Sequence, residues 1–338
     1  MYFFYILKKY VKNFFLILTS LAFFFVLIDF LANYSKLPDS SNLQVLYTYY
    51  RILYSIDMFY PLALVFAFLL TVYYMVKFNE MVSFYSLSFS PWKLLKPFLF
   101  MSISVFFVFI ALESSKFAYV NEYANAILNN NKYIGNNLFL KYNNKIIYIK
   151  KIKPILKEAE GLKVFILEKD NVKEIIFAKK AKFKNDVWIA KHAEITLIKD
   201  TKIIKKTDNI KLLRGFKPKI ITNLKNLNSI SLYDAYIAIK LFKNVNVDML
   251  ISIVFFKIFT ALSLIFLIVI FLIKAPLHSR ISNVSLFLVK STFFTILVWG
   301  ADLMIYKFAK QGVISPYVLI LPFVILFGYG VYLFNKEK

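Results

Sequence analysis

Six apolar runs divide this chain of 338 residues into two groups of three, separated by a polar stretch of different periodicity. The runs fall at about Phe14–Asn33, Ile56–Val76, Phe98–Leu112, Met249–Ile273, Ser285–Tyr306 and Tyr317–Phe334. A helix needs about 20 apolar residues to cross the hydrocarbon of a bilayer. In lipid the backbone amides must be satisfied within the segment, so each run is expected as a helix. Hydrophobic residues make up 59% of the chain, above the roughly half found in soluble domains, which excludes an ordinary soluble fold. Lys8, Lys9 and Lys12 precede the first run. That run is too long for the apolar core of a cleavable signal and no small-residue site follows it, so it is read as a retained transmembrane helix.

From Asn129 to about Lys243 nothing is long or apolar enough to span, and hydrophobic residues alternate with period two. NLFLKYNNKIIYIKKI reads as two strands about a tight turn at Asn143-Asn144. GLKVFILEKDNVKEIIFAKKAKF repeats the pattern with Lys169-Asp170-Asn171 at the turn, and DVWIAKHAEITLIKD with the residues after it adds more short strands. An insertion of roughly 115 residues is one domain in size. Regular strands with polar turns predict a β-sandwich or jelly roll. From Ser231 the period becomes helical, with Ser231 and Asp234 placed as in a capping box. The insertion holds 26 Lys and Arg against 10 Asp and Glu, about two-thirds of the chain's net charge of +24.

Basic residues in short loops set the orientation of the spans. The N-terminus, the Lys77–Lys96 loop, the Lys274–Arg280 loop and the C-terminal tail alternate so as to share one side. Six spans then put both termini in the cytoplasm and the β insertion outside, because large domains translocate largely regardless of charge. The polyanion expected to meet this charge is therefore anionic lipid rather than nucleic acid.

The inside loop KFNEMVSFYSLSFSPWKLLKP, Lys77 to Pro97, is polar, aromatic and basic, and Glu80 is its one carboxylate. The pattern suits a short amphipathic helix on the membrane surface, where a cytoplasmic partner could push. It also suits an ordinary loop held by Lys77, Lys93 and Lys96. Ser90-Pro91 interrupts the stretch and Pro97 marks the start of the third span. Within or near the spans, Asp29 lies close to the outer end of the first, at the interface or paired. A polar connection from Lys36 to about Arg51 leads to the second span, with Asp57 at its start and Pro61 in its first turns. Asp302 lies clearly inside the fifth, and Lys257 in the fourth is a candidate partner for it.

Catalytic signatures are missing. There is no G-x-x-x-x-G-K-[ST], no H-E-x-x-H and no G-x-S-x-G. Without Cys there is neither disulfide nor thiolate metal site. His192 in the insertion, expected on a strand surface, and His278 in an inside loop fall on opposite sides of the membrane and cannot share a metal. A lipid or glycosyl transferase would need an outer acidic cleft, whereas Asp29, Asp57 and Glu113 look scattered over three span ends. Transport or reception fits this inventory better than catalysis.

The order three spans, outer β domain, three spans resembles the lipopolysaccharide export permease family LptF/LptG, also called YjgP/YjgQ, over nearly the whole chain. FVLIDFL in the first span is similar to the family's apolar-Asp-apolar stretch, closer to the LptG branch. YPLALVFAFLLTVYYM resembles its Pro-led second helix. NEMVSFYSLSFSPWKLLKP resembles its most telling motif, a Ser-Glu pair opening a coupling helix that runs toward Ala-Ser-Gly and a later Pro. Glu80 matches the glutamate, Asn79 stands where Ser is usual and Ser88 where Gly is usual. KIFTALSLIF resembles the start of the fourth span, with Lys257 matching and Ala261 in place of Pro, and ISPYVLILPFVILFGYGVYL resembles the sixth, with Pro316 and Pro322 in register. Two places depart from the family. Ser114-Ser115-Lys116-Phe117 follows Glu113 where Pro is frequent, and Ala124 and Ile127 stand where some relatives carry arginines.

The resemblance implies a helical integral membrane protein with six transmembrane helices and an inserted extracytoplasmic β-jelly-roll-like domain. It places helices 1–3 and a cytoplasmic coupling helix near 79–91 in residues 1–128, the periplasmic domain in 129–229, and a connecting helix with spans 4–6 in 230–338. The implied role is a permease subunit of an ABC-type lipopolysaccharide or lipooligosaccharide exporter in the bacterial inner membrane. Implied partners are an LptB-like ATPase dimer, which would hold the ATP and Mg, a second LptF/LptG-type permease and LptC/LptA-like jelly-roll proteins. The chain itself carries no cofactor in this reading. Glu80, Met81, Phe84 and Ser88 are the implied ATPase-coupling residues. Lys36, Arg51 and Lys116 are expected at the outer rim, where they would meet lipid phosphates, and Asp29, Lys257 and Asp302 are expected as structural polar groups in the membrane. A membrane receptor with an outer β ligand-binding domain is the alternative.

Overall fold

All six apolar runs form helices in the computed structural model, which describes residues 2–128, 135–142, 145–153, 158–168, 171–184, 187–199, 202–212, 230–241, 247–278 and 283–336. In chain order the helices are α1 (Tyr2–Ala32), α2 (Ser41–Lys77), α3 (Glu80–Ser86), α4 (Pro91–Glu113), α5 (Val120–Leu128), α6 (Leu232–Leu241), α7 (Val247–Ile273), α8 (Val284–Lys310) and α9 (Leu321–Lys336). A 3-10 turn over Pro316–Ile320 leads into α9. The chain divides into two units. Met1–Ser35, Thr48–Val120 and Asp248–Lys338 form the helical one; Lys36–Tyr47 and Asn121–Val247 form the other.

Three helix starts differ from the sequence expectation. α1 begins at Tyr2, so Lys8, Lys9 and Lys12 lie within it rather than ahead of it. Its N-terminal turns carry Ile6, Tyr10 and Phe14 on one buried face, and that i, i+4, i+8 stripe makes them helical. α2 begins at Ser41 and absorbs most of the expected polar connection, which leaves Pro61 in mid-helix. A proline there is tolerated in membrane helices, where neighbours re-satisfy the freed carbonyl. α4 begins at Pro91, not Pro97. Ser90 caps it, its Oγ accepting from the Lys93 amide at 3.4 Å, and Pro91 takes the first position, where its missing N–H costs nothing.

In the helical unit α2 is the most deeply buried span, and the core combines side chains of α1, α2, α4 and α7. Polar ties fix α1 against its neighbours. The Tyr10 hydroxyl donates to the Leu64 carbonyl at 3.0 Å and lies 2.9 Å from Ser102 Oγ. Asn13 Nδ2 donates to Thr71 Oγ1 at 2.8 Å. The Tyr60 and Phe109 rings stack at 3.8 Å between α2 and α4.

The other unit holds one antiparallel sheet in sequence order: β1 (Gly135–Tyr142), β2 (Lys145–Lys153), β3 (Glu158–Glu168), β4 (Asn171–Lys184), β5 (Val187–Lys199) and β6 (Lys202–Leu212). This sheet is compatible with the jelly-roll-like domain, its described strands pairing as a simple meander. Tyr142 pairs with Lys145, so the Asn143-Asn144 turn, which lies outside the described residues, is flanked as expected. Glu168 pairs with Asn171, which puts Asn171 in the strand rather than the expected turn; Lys169 and Asp170 lie outside the described residues. Alternation builds one apolar face from cross-strand rows: Ile147–Val164–Ile176 and Ile149–Leu162–Ala178. His192 is exposed, at the irregularity between Ala190 and Ala193 in β5, with φ 55°. Ser231 caps α6, its Oγ accepting from the Asp234 amide at 3.1 Å.

Gly161 in β3 has φ +65°, and a Cβ there would meet Lys150 Cβ at 2.8 Å. Both the left-handed backbone and the overlap penalise a side chain. Gly161→Ala is expected to destabilise the sheet by about 2 kcal/mol or more, the sum of roughly 1–2 kcal/mol of backbone cost and the displacement of β2. The check is a lower denaturation midpoint in the β unit's unfolding transition.

Candidate functional site

α1, α2 and α4 enclose an apolar groove of about 960 Å³. Phe14, Leu18, Ala22, Val26 and Phe30 line it from α1; Ile52 and Ile56 from α2; Val105, Val108 and Phe109 from α4. Of the three hydroxyl residues in the wall, Thr19, Thr48 and Ser104, two are turned away. Thr19 Oγ1 donates to the Phe15 carbonyl and Ser104 Oγ to the Phe100 carbonyl, each at 2.7 Å, so the groove sees their carbon atoms. Such a surface gains about 0.8 kcal/mol per methylene it takes from water and offers a charged ligand nothing.

An ion pair stands at one end of this groove. Arg51 Nε lies 3.0 Å from Asp29 Oδ2, joining α2 to α1 between groove residues Val26, Phe30 and Ile52. Asp29 is thus paired rather than simply interfacial, and Arg51, 8% exposed, is not the open rim cation the sequence suggested. Lys116 is exposed after α4. Lys36 is also exposed and belongs to the other unit.

A second charged group gathers near the same end of the bundle. Lys257 Nζ of α7 contacts Glu113 Oε2 at the end of α4, and it also interacts electrostatically with Asp57 of α2. Asp57 and Glu113 lie one helical turn from Tyr60 and Phe109, on the same side of that ring stack. Asp29 and Glu113 are therefore each paired with a cation, and Asp57 feels the charge of Lys257. Asp302, 1% exposed, is not the partner of Lys257; it lies beside Thr260, one turn further along α7. The sequence pairing missed by that one turn, which helix register alone does not reveal.

At the opposite end, α3 is the short helix expected after Lys77, closer in extent to Glu80–Ser86 than to 79–91. Asn79, φ 59°, turns the chain from α2 into α3, a left-handed position that asparagine tolerates. α3 ends in a Schellman motif. Ser88 N donates to Tyr85 O at 2.9 Å, Phe89 N donates to Phe84 O at 3.1 Å, and the Phe84 and Phe89 rings meet edge-on. Ser88, φ 59°, occupies the position that favours glycine, so the turn survives the substitution that the family pattern made notable. Ser88→Gly is expected to stabilise α3 by about 1 kcal/mol, read as slower amide exchange in 80–89.

The implied coupling residues divide by burial. Met81 is fully buried in the bundle core, which it anchors, so it is not a contact surface. Phe84 is half-buried against Phe89, and Ser88 is exposed. Glu80 turns toward α1. Its Oε1 accepts from Tyr5 Oη at 2.9 Å and pairs with Lys9 Nζ, which also lies over the Tyr5 ring at 4.3 Å. The outward face of this end is apolar, with Phe78 62% and Leu87 69% exposed beside Val82 and Trp92. Sequence reasoning missed Tyr5 and Lys9. Their signal was the polar spacing Tyr5, Lys9, Asn13 inside a helix, hidden by reading the lysines as flanking charges. Arg280 lies outside the described residues, whereas Lys274 donates to Tyr329 Oη at 2.5 Å, tying the end of α7 to α9.

Six apolar helices and an inserted antiparallel sheet define a multi-pass membrane protein with an added β domain. The family model for lipopolysaccharide export system permease LptF/LptG matches residues 4–336, and the chain belongs to that family. Its members are transport permeases rather than enzymes, so the chain serves lipopolysaccharide export as a permease and the receptor alternative gives way. Comparison with curated proteins gave no match.

Proposed function

We propose that the chain is one permease subunit of an ABC-type exporter that extracts lipopolysaccharide or lipooligosaccharide from the inner membrane and passes it to a periplasmic bridge of jelly-roll domains. The groove carries this reading: a cleft of about 960 Å³ walled by α1, α2 and α4 suits acyl chains, and a charged pair at its end suits a phosphorylated head. Lys116, exposed after α4, adds a cation at the rim, while Arg51 would exchange Asp29 for a lipid phosphate. Both termini face the cytoplasm in this arrangement, and α3 with its apolar outward face receives an LptB-like ATPase dimer that holds ATP and Mg. A second LptF/LptG-type permease closes the cavity, and LptC/LptA-like proteins extend the sheet.

Purification from native membranes, followed by mass spectrometry of what remains bound, tests the assembly. A nucleotide-binding subunit and a phosphorylated glycolipid are expected; a histidine-kinase partner without lipid would defeat the proposal. Ala22→Trp fills the groove at its middle. It is expected to reduce co-purified lipid about tenfold, since displacing even two methylenes costs about 1.6 kcal/mol. Unchanged lipid content in that variant would place the acyl chains elsewhere.

A further inference from the structure

The path by which α3 acts on the groove is built into α1. Glu80 of α3 holds α1 through Tyr5 at 2.9 Å and through Lys9. Tyr2 of α1 also packs edge-on against Phe89, at a centroid distance of 4.7 Å, just past α3. These contacts all fall on the first two turns or so of α1. The hydrogen bonds that tie α1 to α2 lie in the next turn, Tyr10 to Leu64 and Asn13 to Thr71, while Phe3 meets Phe100 of α4 in the first turn and Asp29 pairs with Arg51 toward the far end. The groove wall begins at the following residue, Phe14, and continues to Phe30. Effort, fulcrum and load thus follow one another along one helix. α1 has no proline or glycine from Tyr2 to Ala32, so nothing breaks it at the usual kink sites. Lys9 and Phe30 are about 30 Å apart at 1.5 Å per residue.

We infer that Lys9 and Tyr5 are positioning residues that convert movement of α3 into movement of the groove wall, with α1 as a lever pivoting at Tyr10 and Asn13. The inference rests on the permease reading above and adds the residues that transmit the motion. Met81 keeps α3 seated in the core, so α3 shifts as a body with Glu80 rather than unwinding. Glu80 then draws on α1 by a charged pair and a hydrogen bond, both directional, and the tilt opens or narrows the space between Phe14–Phe30 and the α4 wall.

The chain has no Cys, so labels can be installed without removing any. Nitroxides at Leu31→Cys and Leu112→Cys, both exposed, report the distance across the groove's outer end in the complex purified from native membranes. In the otherwise unsubstituted complex, ATP with Mg is expected to shift that distance. Lys9→Met/Tyr5→Phe is expected to suppress the shift and lower lipid released per ATP about tenfold, within the 5–150-fold span of ordinary coupling free energies, while ATP hydrolysis continues. Lys9→Arg, which keeps the charge, is expected to preserve both. A residue with a merely structural role would lower the amount of complex without separating hydrolysis from release. Should the double variant fail to assemble, Tyr5→Phe alone gives the same reading at smaller amplitude. A full ATP-driven shift in either Tyr5 variant overturns the lever. No shift in the otherwise unsubstituted complex defeats the proposed ATP-driven assembly and the lever with it.

Discussion

Glu80→Ala is expected to abolish lipid export while the protein still inserts and folds. The two halves of that expectation have different physical origins. For folding, Glu80 contributes little. Its partner Lys9 is about one-third exposed and can turn to water when the carboxylate is gone, and pairs of that kind are worth roughly 0–1 kcal/mol. Met81 remains in the core and the Schellman turn at Ser88 is untouched, so α3 persists. For transport, Glu80 is the one carboxylate between α2 and α4 and the only charged link from α3 to α1 among the described residues. Removing it leaves Tyr5 and Lys9 without their common acceptor. The measurement is outer-membrane lipopolysaccharide in cells depleted of the unsubstituted permease, alongside membrane abundance of the variant. Absent surface lipid at normal abundance is the expected pair of results. Normal outer-membrane lipid would remove Glu80 from the coupling path, and lost abundance would make it a folding residue.

How much of this was readable beforehand depends on whether a feature is local. Spans, strands and the two hairpin positions are written in periodicities of 3.6 and 2, and the sequence shows both. The Ser90-Pro91 start of α4 is also a local signal, since a cap followed by proline has a physical meaning wherever it stands, although the apolar run itself begins only after Pro97. Apolarity misled in the other direction at α2. Gln44, Thr48 and Arg51 made the connection look like a loop, although helix propensity does not require apolar residues and a helix can emerge from the membrane intact. The pairings were not readable. Arg51 meeting Asp29, or Lys257 meeting Glu113 instead of Asp302, depends on which helices are neighbours and at what depth. One turn along α7 separates the right partner from the wrong one. The groove is likewise a property of three helices together, and no single span announces it.

Those unreadable pairings set the second large effect. Lys257→Met is expected to destabilise the helical unit by about 3–5 kcal/mol, the cost typical of breaking a buried ion pair from one side. Lys257 of α7 contacts Glu113, 3% exposed, and acts electrostatically on Asp57. Take away the ammonium and Glu113 is left buried without its cation, while Asp57 loses the favourable charge of Lys257. Glu113→Gln should be much milder, because Lys257 keeps Asp57 and the amide still fills the space. The order of the two effects is therefore predicted, not only their sign. In the double variant Lys257→Met/Glu113→Gln one of the stranded charges is gone, and part of the loss should return, a coupling of about 1–3 kcal/mol between sites in contact. Thermal unfolding in detergent, followed in all four proteins of the cycle, gives the numbers. Equal losses for Lys257→Met and Glu113→Gln would mean that Asp57 does not share the lysine. Additive losses in the double variant would mean that the Glu113–Lys257 contact carries no coupling. Because α4 precedes the β unit in the chain and α7 follows it, this pair fastens together the two helices between which the insertion is carried. A permease that lost it would lose the fixed base from which any motion of the groove has to be measured.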